Sequence, residues 1–210
     1  MDETAKKAIV VTGYHEMEAE FGLDVTRYYE SRGIRGDRNV SFYAVQDNKN
    51  SFDFEVPKVN REIREYLASR DQPDLLIDIH VGAADHLYPR GSPYGCGHDK
   101  IDVRCAHVPV SVVGRLYRLL GREHVIADVL LPWELDRLHD SDIPLADDDL
   151  EELLRLPDWT LAQTGIATIA VEPYLYMSSF EAKGRTYRRC VGRTARLINA
   201  LYDLFAACDE

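Results

Sequence analysis

The stretch LLIDIHV, residues 75–81, is the clearest indication of the fold in this chain. It is short and rich in branched apolar side chains, as expected for a strand that is buried on both faces. Two other runs have the same character, AIVVT at residues 8–12 and IATIAV at residues 166–171. Strands of this kind are typical of a mostly parallel sheet between helices, so the three runs predict an α/β protein.

Segments with the spacing of helices alternate with these strands. Helices are predicted for residues 15–32, ended by Gly33, for a segment from Pro57 to before Pro73, and for residues 182–207. Further strands are predicted at 39–45 and 124–131, and residues 108–113 are predicted as a strand leading into a helix through Leu120. Residues 82–104 are predicted as a long irregular loop, and Asp147 as the cap of a short helix.

The alternation predicts one domain over residues 1–210. Its fold is expected to be a three-layer α/β sandwich, with a mixed, mostly parallel sheet and helices on both faces.

Composition excludes several kinds of partner. The chain has 210 residues and a formal net charge of −11. An acidic surface argues against binding to nucleic acid and to anionic membranes. No apolar run approaches the roughly 18 residues of a membrane span, and the acidic start Met1-Asp2-Glu3 is unlike a secretion signal. We therefore expect a cytoplasmic protein whose four cysteines are thiols or metal ligands.

Groups that suit metal or acid–base chemistry follow the three apolar strands, at the edge where open α/β sheets bind ligands. His15 and Glu18 follow the first strand at helical spacing i, i+3, and so project to one side. His80 ends the second strand and could complete a two-histidine, one-carboxylate zinc set with an open fourth position. Glu172 ends the third strand and could act as general base. Asp78 could support His80, or could merely cap a helix.

These residues resemble motifs of the zinc carboxypeptidase superfamily, especially its small branches similar to succinylglutamate desuccinylase, aspartoacylase and polyglutamate hydrolases. The family's Gly-x-His-x-x-Glu resembles residues 13–18, its apolar-Asp-apolar-His resembles residues 77–80, and its late strand glutamate resembles Glu172. The resemblance implies one zinc ion per chain, bound by His15, Glu18 and His80. It also implies that Glu172 is the general base.

The family's Asn-Arg pair, which binds a substrate carboxylate, has no clear counterpart. The nearest string is Asp37-Arg38-Asn39, and Arg90, Arg104 and Arg185 are other candidates. An arginine is expected because its planar fork matches a carboxylate. Tyr174 and Tyr176 could offer a hydroxyl to the substrate, although packing is the favoured interpretation.

Two Cys-x-His pairs lie close together in the predicted loop region. Cys96, His98, Cys105 and His107 could bind a second, structural zinc, or could be ordinary thiols and imidazoles. One of these histidines, or His86, could instead bind substrate near the main site. Cys190 is interpreted as a small core residue.

The sequence as a whole predicts a zinc-dependent hydrolase of an amide bond in an acylated amino acid or peptide-like substrate. One alternative is an amidohydrolase of the type that releases N-formyl groups from amino acids. The other is a catalytically inactive metal-binding or regulatory domain of the same fold. The expected partner is the substrate alone, with no nucleic acid and no membrane, and the oligomeric state stays open.

Overall fold

The computed structural model describes residues 6–13, 16–45, 56–83, 101–120, 125–129 and 164–208. Within these ranges the strands are β1 (Ala8–Thr12), β2 (Val40–Ala44), β3 (Leu75–Ile79), β4 (Gly82–Ala83), β5 (Ile101–Ala106), β6 (Val125–Val129) and β7 (Thr168–Leu175). The helices are α1 (Glu16–Ser31), α2 (Val56–Ala68), α3 (Val110–Leu120), α4 (Met177–Ala182) and α5 (Arg185–Ala206). None of the helices in this part of the chain is long and apolar enough to cross a membrane.

The strands form one mixed sheet in the order β2-β1-β3-β7-β5-β6, and the short β4 pairs with β7. Strands β1, β2, β3, β4 and β7 run in the same direction. Strand β5 is antiparallel to β7, and β6 is parallel to β5. The predicted mixed, mostly parallel sheet is therefore confirmed.

Helices cover both faces of the sheet. On one face, apolar side chains of the strands pack against α1, α3 and α5; this core includes Val10, Ile77, Val171, Phe21, Leu116 and Ile198. On the other face, strand residues pack against α2; this core includes Ile9, Val11, Leu76, Ile63 and Leu67. Because Val10 and Val11 are neighbours in β1 and lie in different cores, the three-layer arrangement follows directly from the alternation of side chains along a strand.

Most predicted elements lie within one or two residues of the observed ones. Helix α1 ends as expected before Gly33, whose positive φ of 59° is a backbone conformation that glycine adopts readily. Helix α2 begins at Val56, one residue before Pro57, and ends at Ala68. The helix predicted after Asp147 lies outside the described residues.

The strand predicted at residues 108–113 is wrong. Helix α3 begins at Val110, and the strand lies earlier, at Ile101–Ala106, so that it starts within the segment 82–104 that was predicted to be irregular. The branched apolar residues at 108–113 gave the wrong prediction because a short apolar run fits a buried helix as well as a strand. Val112, Val113 and Leu116 are the buried side chains of α3.

The last predicted helix, at residues 182–207, corresponds to α5 (Arg185–Ala206), and the short helix α4 (Met177–Ala182), which was not predicted, comes before it. Lys183, with a positive φ of 46°, and Gly184 separate α4 from α5. The preceding strand is also displaced, because β7 begins at Thr168 and continues to Leu175. Glu172 therefore lies within the strand and not after its end.

Candidate functional site

The parallel strands β1 and β3 end at the same level of the sheet, beside β7, which continues to Leu175. Thr12 at the end of β1 is paired with Ile79 of β3, and Ile79 is paired with Val171 of β7. The backbone N–H of His80 donates to the carbonyl of Val171 at 3.0 Å, so the ladder continues past the end of β3. This edge is the place where open α/β sheets bind ligands.

The imidazole of His80 lies between two carboxylates. Its Nδ1 is 3.0 Å from Oε1 of Glu18, and its Nε2 is 2.8 Å from Oδ2 of Asp78. The Glu18 and Asp78 side chains are buried, at 6% and 1% exposure, whereas 26% of the His80 side chain is exposed. The two contacts fix the ring, and part of the side chain stays accessible to solvent.

The surroundings of His80 favour its charged form. Burial lowers the pKa of His80, but the charges of Asp78 and Glu18 and their hydrogen bonds raise it more. The pKa of His80 consequently lies well above its usual value.

Glu172 lies one strand away from His80. The register Ile79 with Val171 and Gly82 with Tyr174 puts Glu172 beside His80 in the sheet. Gly82 makes room for this carboxylate, because a Cβ atom at Gly82 would lie 2.9 Å from Oε1 of Glu172 and 2.4 Å from Cε1 of Tyr174. The sequence prediction that His80 and Glu172 meet at one edge is consistent with this register.

Glu18 and His80 offer part of a metal site. A tetrahedral zinc ion holds nitrogen and oxygen ligands at about 2.0–2.1 Å, which separates two such ligand atoms by about 3.3 Å. The 3.0 Å between Nδ1 of His80 and Oε1 of Glu18 is close to that separation. Asp78 on the other ring nitrogen has the place that a carboxylate takes behind a zinc-bound histidine. The donors present therefore fit a zinc ion.

The described residues do not by themselves complete a ligand set. Among them, no group of three or more histidine, cysteine, aspartate or glutamate side chains is arranged to hold a metal ion. The third predicted ligand, His15, lies outside the described residues. The zinc site stays a prediction in which the structure brings together Glu18 and His80.

The arginines that were predicted to bind a substrate carboxylate are spread over different parts of the fold. Arg38 lies beyond the carboxyl end of α1, whereas Glu18 is in its first turn, and Arg38 binds Asp203 through Nε and Nη2, at 2.7 and 2.6 Å. Arg104 is exposed, and its partner in β7 is Ala170, two residues before Glu172. Arg185 is exposed at the start of α5, and Arg90 lies outside the described residues.

The histidine at the end of β5 is far from this edge. Strand β5 is antiparallel to β7, so Ala106 is paired with Thr168, four positions from Glu172. At about 3.3 Å per residue, His107 is therefore more than about 13 Å along the sheet from the site. His107 is not the substrate-binding group that the sequence allowed, and Cys96, His98 and His86 lie outside the described residues.

Several cysteine and tyrosine side chains near these strands are buried. Cys105 and Cys190 are buried in the core, and Cys208 is partly exposed. Tyr174 and Tyr176 are buried, at 7% and 8% exposure, and form a small cluster of their own. The burial of Cys190, Tyr174 and Tyr176 fits the packing interpretation, and a role of Cys105 in a second metal site stays a prediction.

Sequence reasoning missed Thr12 and two glycines that support the site. The sequence indicated no function for Thr12, yet its hydroxyl donates a hydrogen bond to the carbonyl of Glu18 at 3.2 Å. A glycine inside a helical pattern, as at Gly22, or after a strand, as at Gly82, is the available signal of a close backbone approach.

Comparisons with known proteins give distant structural similarities. No family model matches the chain, and no curated protein matches its sequence. Murine aminoacylase 3 is similar over 97% of this chain and 67% of its own length, with 11% identity and a TM-score of 0.46. A mutant of the same enzyme gives 10% identity and 0.42 over the same shares. The CwlD amidase from Clostridioides difficile, in complex with the GerS lipoprotein, is similar over 94% of this chain and 98% of its own length, with 11% identity and a TM-score of 0.40. Because these similarities are so distant, the function has to be inferred from the side chains of this chain.

Proposed function

We propose that the protein is a zinc-dependent hydrolase of an amide bond in an acylated amino acid or peptide-like substrate. The observation that carries the proposal is the imidazole of His80, fixed between the Glu18 and Asp78 carboxylates at the carboxyl edge of parallel strands. Glu172 is next to it in the sheet. Metal-assisted hydrolysis uses side chains that bind the metal ion, here His80 and Glu18, and a nearby carboxylate that can act as the base, here Glu172.

His15, Glu18 and His80 would hold the zinc ion, one per chain. When bound, zinc would supply a Lewis acid that polarises the amide carbonyl and makes a water molecule more acidic. Asp78 orients the ring of His80 through Nε2 and leaves Nδ1 directed at Glu18.

Glu172 accepts the proton of the attacking water and passes it to the leaving nitrogen. Both transfers need a carboxylate close to the reacting atoms, and the register holds Glu172 beside His80. Removing such a base lowers turnover by about 10²–10⁴-fold.

The substrate is expected to bear a carboxylate, and an arginine or a backbone N–H would support the oxyanion. The net charge of −11 does not attract an anion from a distance. Binding of an anionic substrate therefore depends on the zinc ion and on nearby arginines.

Metal analysis of the purified protein, combined with amidase assays on a panel of acylated amino acids, tests the proposal. We expect about one zinc per chain in the native protein, loss of zinc in His80→Ala and His15→Ala, and retained zinc with lost turnover in Glu172→Gln. His107→Ala is the matched control, because this histidine lies at the other end of β5 and should leave zinc and turnover unchanged.

The outcomes separate the remaining alternatives. Activity on N-formyl amino acids alone would favour the N-formyl type of amidohydrolase. Bound zinc without turnover on any substrate would favour the inactive regulatory domain. Full activity in Glu172→Gln, or full activity without metal, would overturn the proposed mechanism.

A further inference from the structure

Helix α1 lies directly against the end of β1 at Thr12. A Cβ atom at Gly22 would be 1.7 Å from Oγ1 of Thr12 and 2.5 Å from its Cβ. Contacts this short are not possible for any residue larger than glycine, so the helix backbone rests on the threonine side chain. Thr12 is 1% exposed, so this contact is shielded from bulk solvent.

The same threonine also holds the first turn of α1. Its hydroxyl donates to the carbonyl of Glu18 at 3.2 Å, in a buried hydrogen bond. One side chain of β1 thus fixes α1 at two places, the backbone of Glu18 and the backbone of Gly22. Thr12 is paired with Ile79, the residue before His80, so this fixed point lies beside the strand that carries the imidazole.

The buried side chain of Glu18 has little room to change conformation, so its contact with His80 depends on the position of the helix backbone. The Glu18 side chain is buried, at 6% exposure, and its Oε1 is 3.0 Å from Nδ1 of His80. A shift of the first helical turn by an ångström would therefore lengthen this contact. The separation between carboxylate and imidazole depends on where α1 begins relative to β1.

We infer that Thr12 and Gly22 are positioning residues that set the Glu18 carboxylate against His80, and through it the affinity of the zinc site, the latter part resting on the proposed function. The hydroxyl of Thr12 fixes the carbonyl of Glu18, and the missing side chain of Gly22 lets the helix lie close enough for the bond to form. Partners that orient metal ligands in this way change metal affinity by about 10–100-fold when they are altered.

A metal-free measurement tests the positioning itself. In the full chain without metal and at constant pH, the ¹⁵N signals of the His80 ring report the contact of Nδ1 with Glu18. Glu18→Gln is the reference that alters this contact directly. Thr12→Val, which keeps the shape and removes the hydroxyl, should shift the Nδ1 signal in the same direction, and Thr12→Ser should restore the native signal.

Ser31→Ala is the matched control. It removes a hydroxyl that donates to the carbonyl of Tyr28 at 3.3 Å at the other end of the same helix, and should leave the signal unchanged. Zinc affinity, measured by competition with a chelator, should fall about tenfold in Thr12→Val and stay native in Thr12→Ser and Ser31→Ala. If Thr12→Val does not fold, Thr12→Ala tests the same hydroxyl with a smaller side chain.

Failure of the inference is distinct from failure of the proposed function. An unchanged His80 signal in Thr12→Val, beside a shifted one in Glu18→Gln, would overturn the positioning role. An unshifted signal in Glu18→Gln would overturn it as well. Absence of zinc from the native protein would overturn the zinc hydrolase, while the ring signals would still decide the role of Thr12.

Discussion

His80 and His107 are the two histidines in the part of the chain that the structure describes, and their neighbours differ. His80 has a carboxylate on each ring nitrogen, whereas His107 follows β5 with a positive φ of 56° at the far edge of the sheet. The chemistry of a histidine is set by such neighbours more than by its position in a motif. His80 is accordingly the centre of the candidate site.

Gly82 provides a test of the place of Glu172. In Gly82→Ala the new methyl group would meet the ring of Tyr174 at 2.4 Å and Oε1 of Glu172 at 2.9 Å, so one of them must move. We expect turnover to fall by about 10²-fold, because a misplacement of about 1 Å at a reacting group has that effect. Zinc content should not change.

Gly184→Ala is the control for this substitution, since a Cβ atom there meets nothing within 4 Å. Amidase assays and metal analysis on the two variants make the comparison. Native turnover in Gly82→Ala, together with lost turnover in Glu172→Gln, would show that Gly82 does not fix the base.

At the scale of elements, apolar periodicity predicted the strands that carry the site and the helices beside them. The runs at residues 8–12 and 75–81 have few other interpretations, because they are short, branched and followed by polar groups. Periodicity failed at residues 101–113, where Asp102 and Arg104 interrupt the apolar residues of a true strand and Val110 to Val113 begin a helix. The pairing with β7, which no local pattern encodes, decides that region.

The candidate site shows the same division between local and long-range information. The order of strand ends predicted that Glu18, His80 and Glu172 gather at one edge. The second contact of His80 with Asp78 follows from spacing along one strand. The support by Thr12 depends on the packing of α1 against β1, and a sequence alone offers only Gly22 as a sign of it.

Helix α2 packs on the face of the sheet that carries Leu76 and Val11, and its stability depends on few side chains. Ile63 is fully buried there, together with Leu67. We expect Ile63→Ala to reduce the free energy of unfolding by about 2–5 kcal/mol, because it leaves a cavity in a small core.

Urea unfolding of Ile63→Ala measures this effect, with Glu65→Ala as the control. Glu65 is exposed on the same helix, and its substitution should change the free energy by less than about 0.5 kcal/mol. Equal stability of the two variants would mean that α2 contributes little to the fold.

At the scale of the whole molecule, tyrosines bound to polar partners make stability depend on pH in the alkaline range. Burial and a hydrogen bond to Asp24 raise the pKa of Tyr187. Burial and a hydrogen bond to Glu62 likewise raise the pKa of Tyr43. The unfolded chain loses these protons near the usual tyrosine pKa of about 10, before the folded chain does.

Folding stability should therefore be constant with respect to these groups below about pH 10 and fall as the pH rises above it. Tyr187→Phe removes one such group, so its stability should fall less steeply with pH than that of the native protein. Urea unfolding between pH 8.5 and 11 measures both slopes. Parallel slopes would contradict the role of Tyr187.

The pairing of β3 with β7 determines when the site can assemble during synthesis of the chain. Its partners, such as Leu76 and Thr168, are about 90 residues apart along the chain, a separation typical of slow, non-local contacts. A ribosome delivers Glu18 and His80 long before Glu172. On a nascent chain, His80 and its partners Glu18 and Asp78 have therefore already been synthesised while the proposed base, Glu172, has yet to be translated.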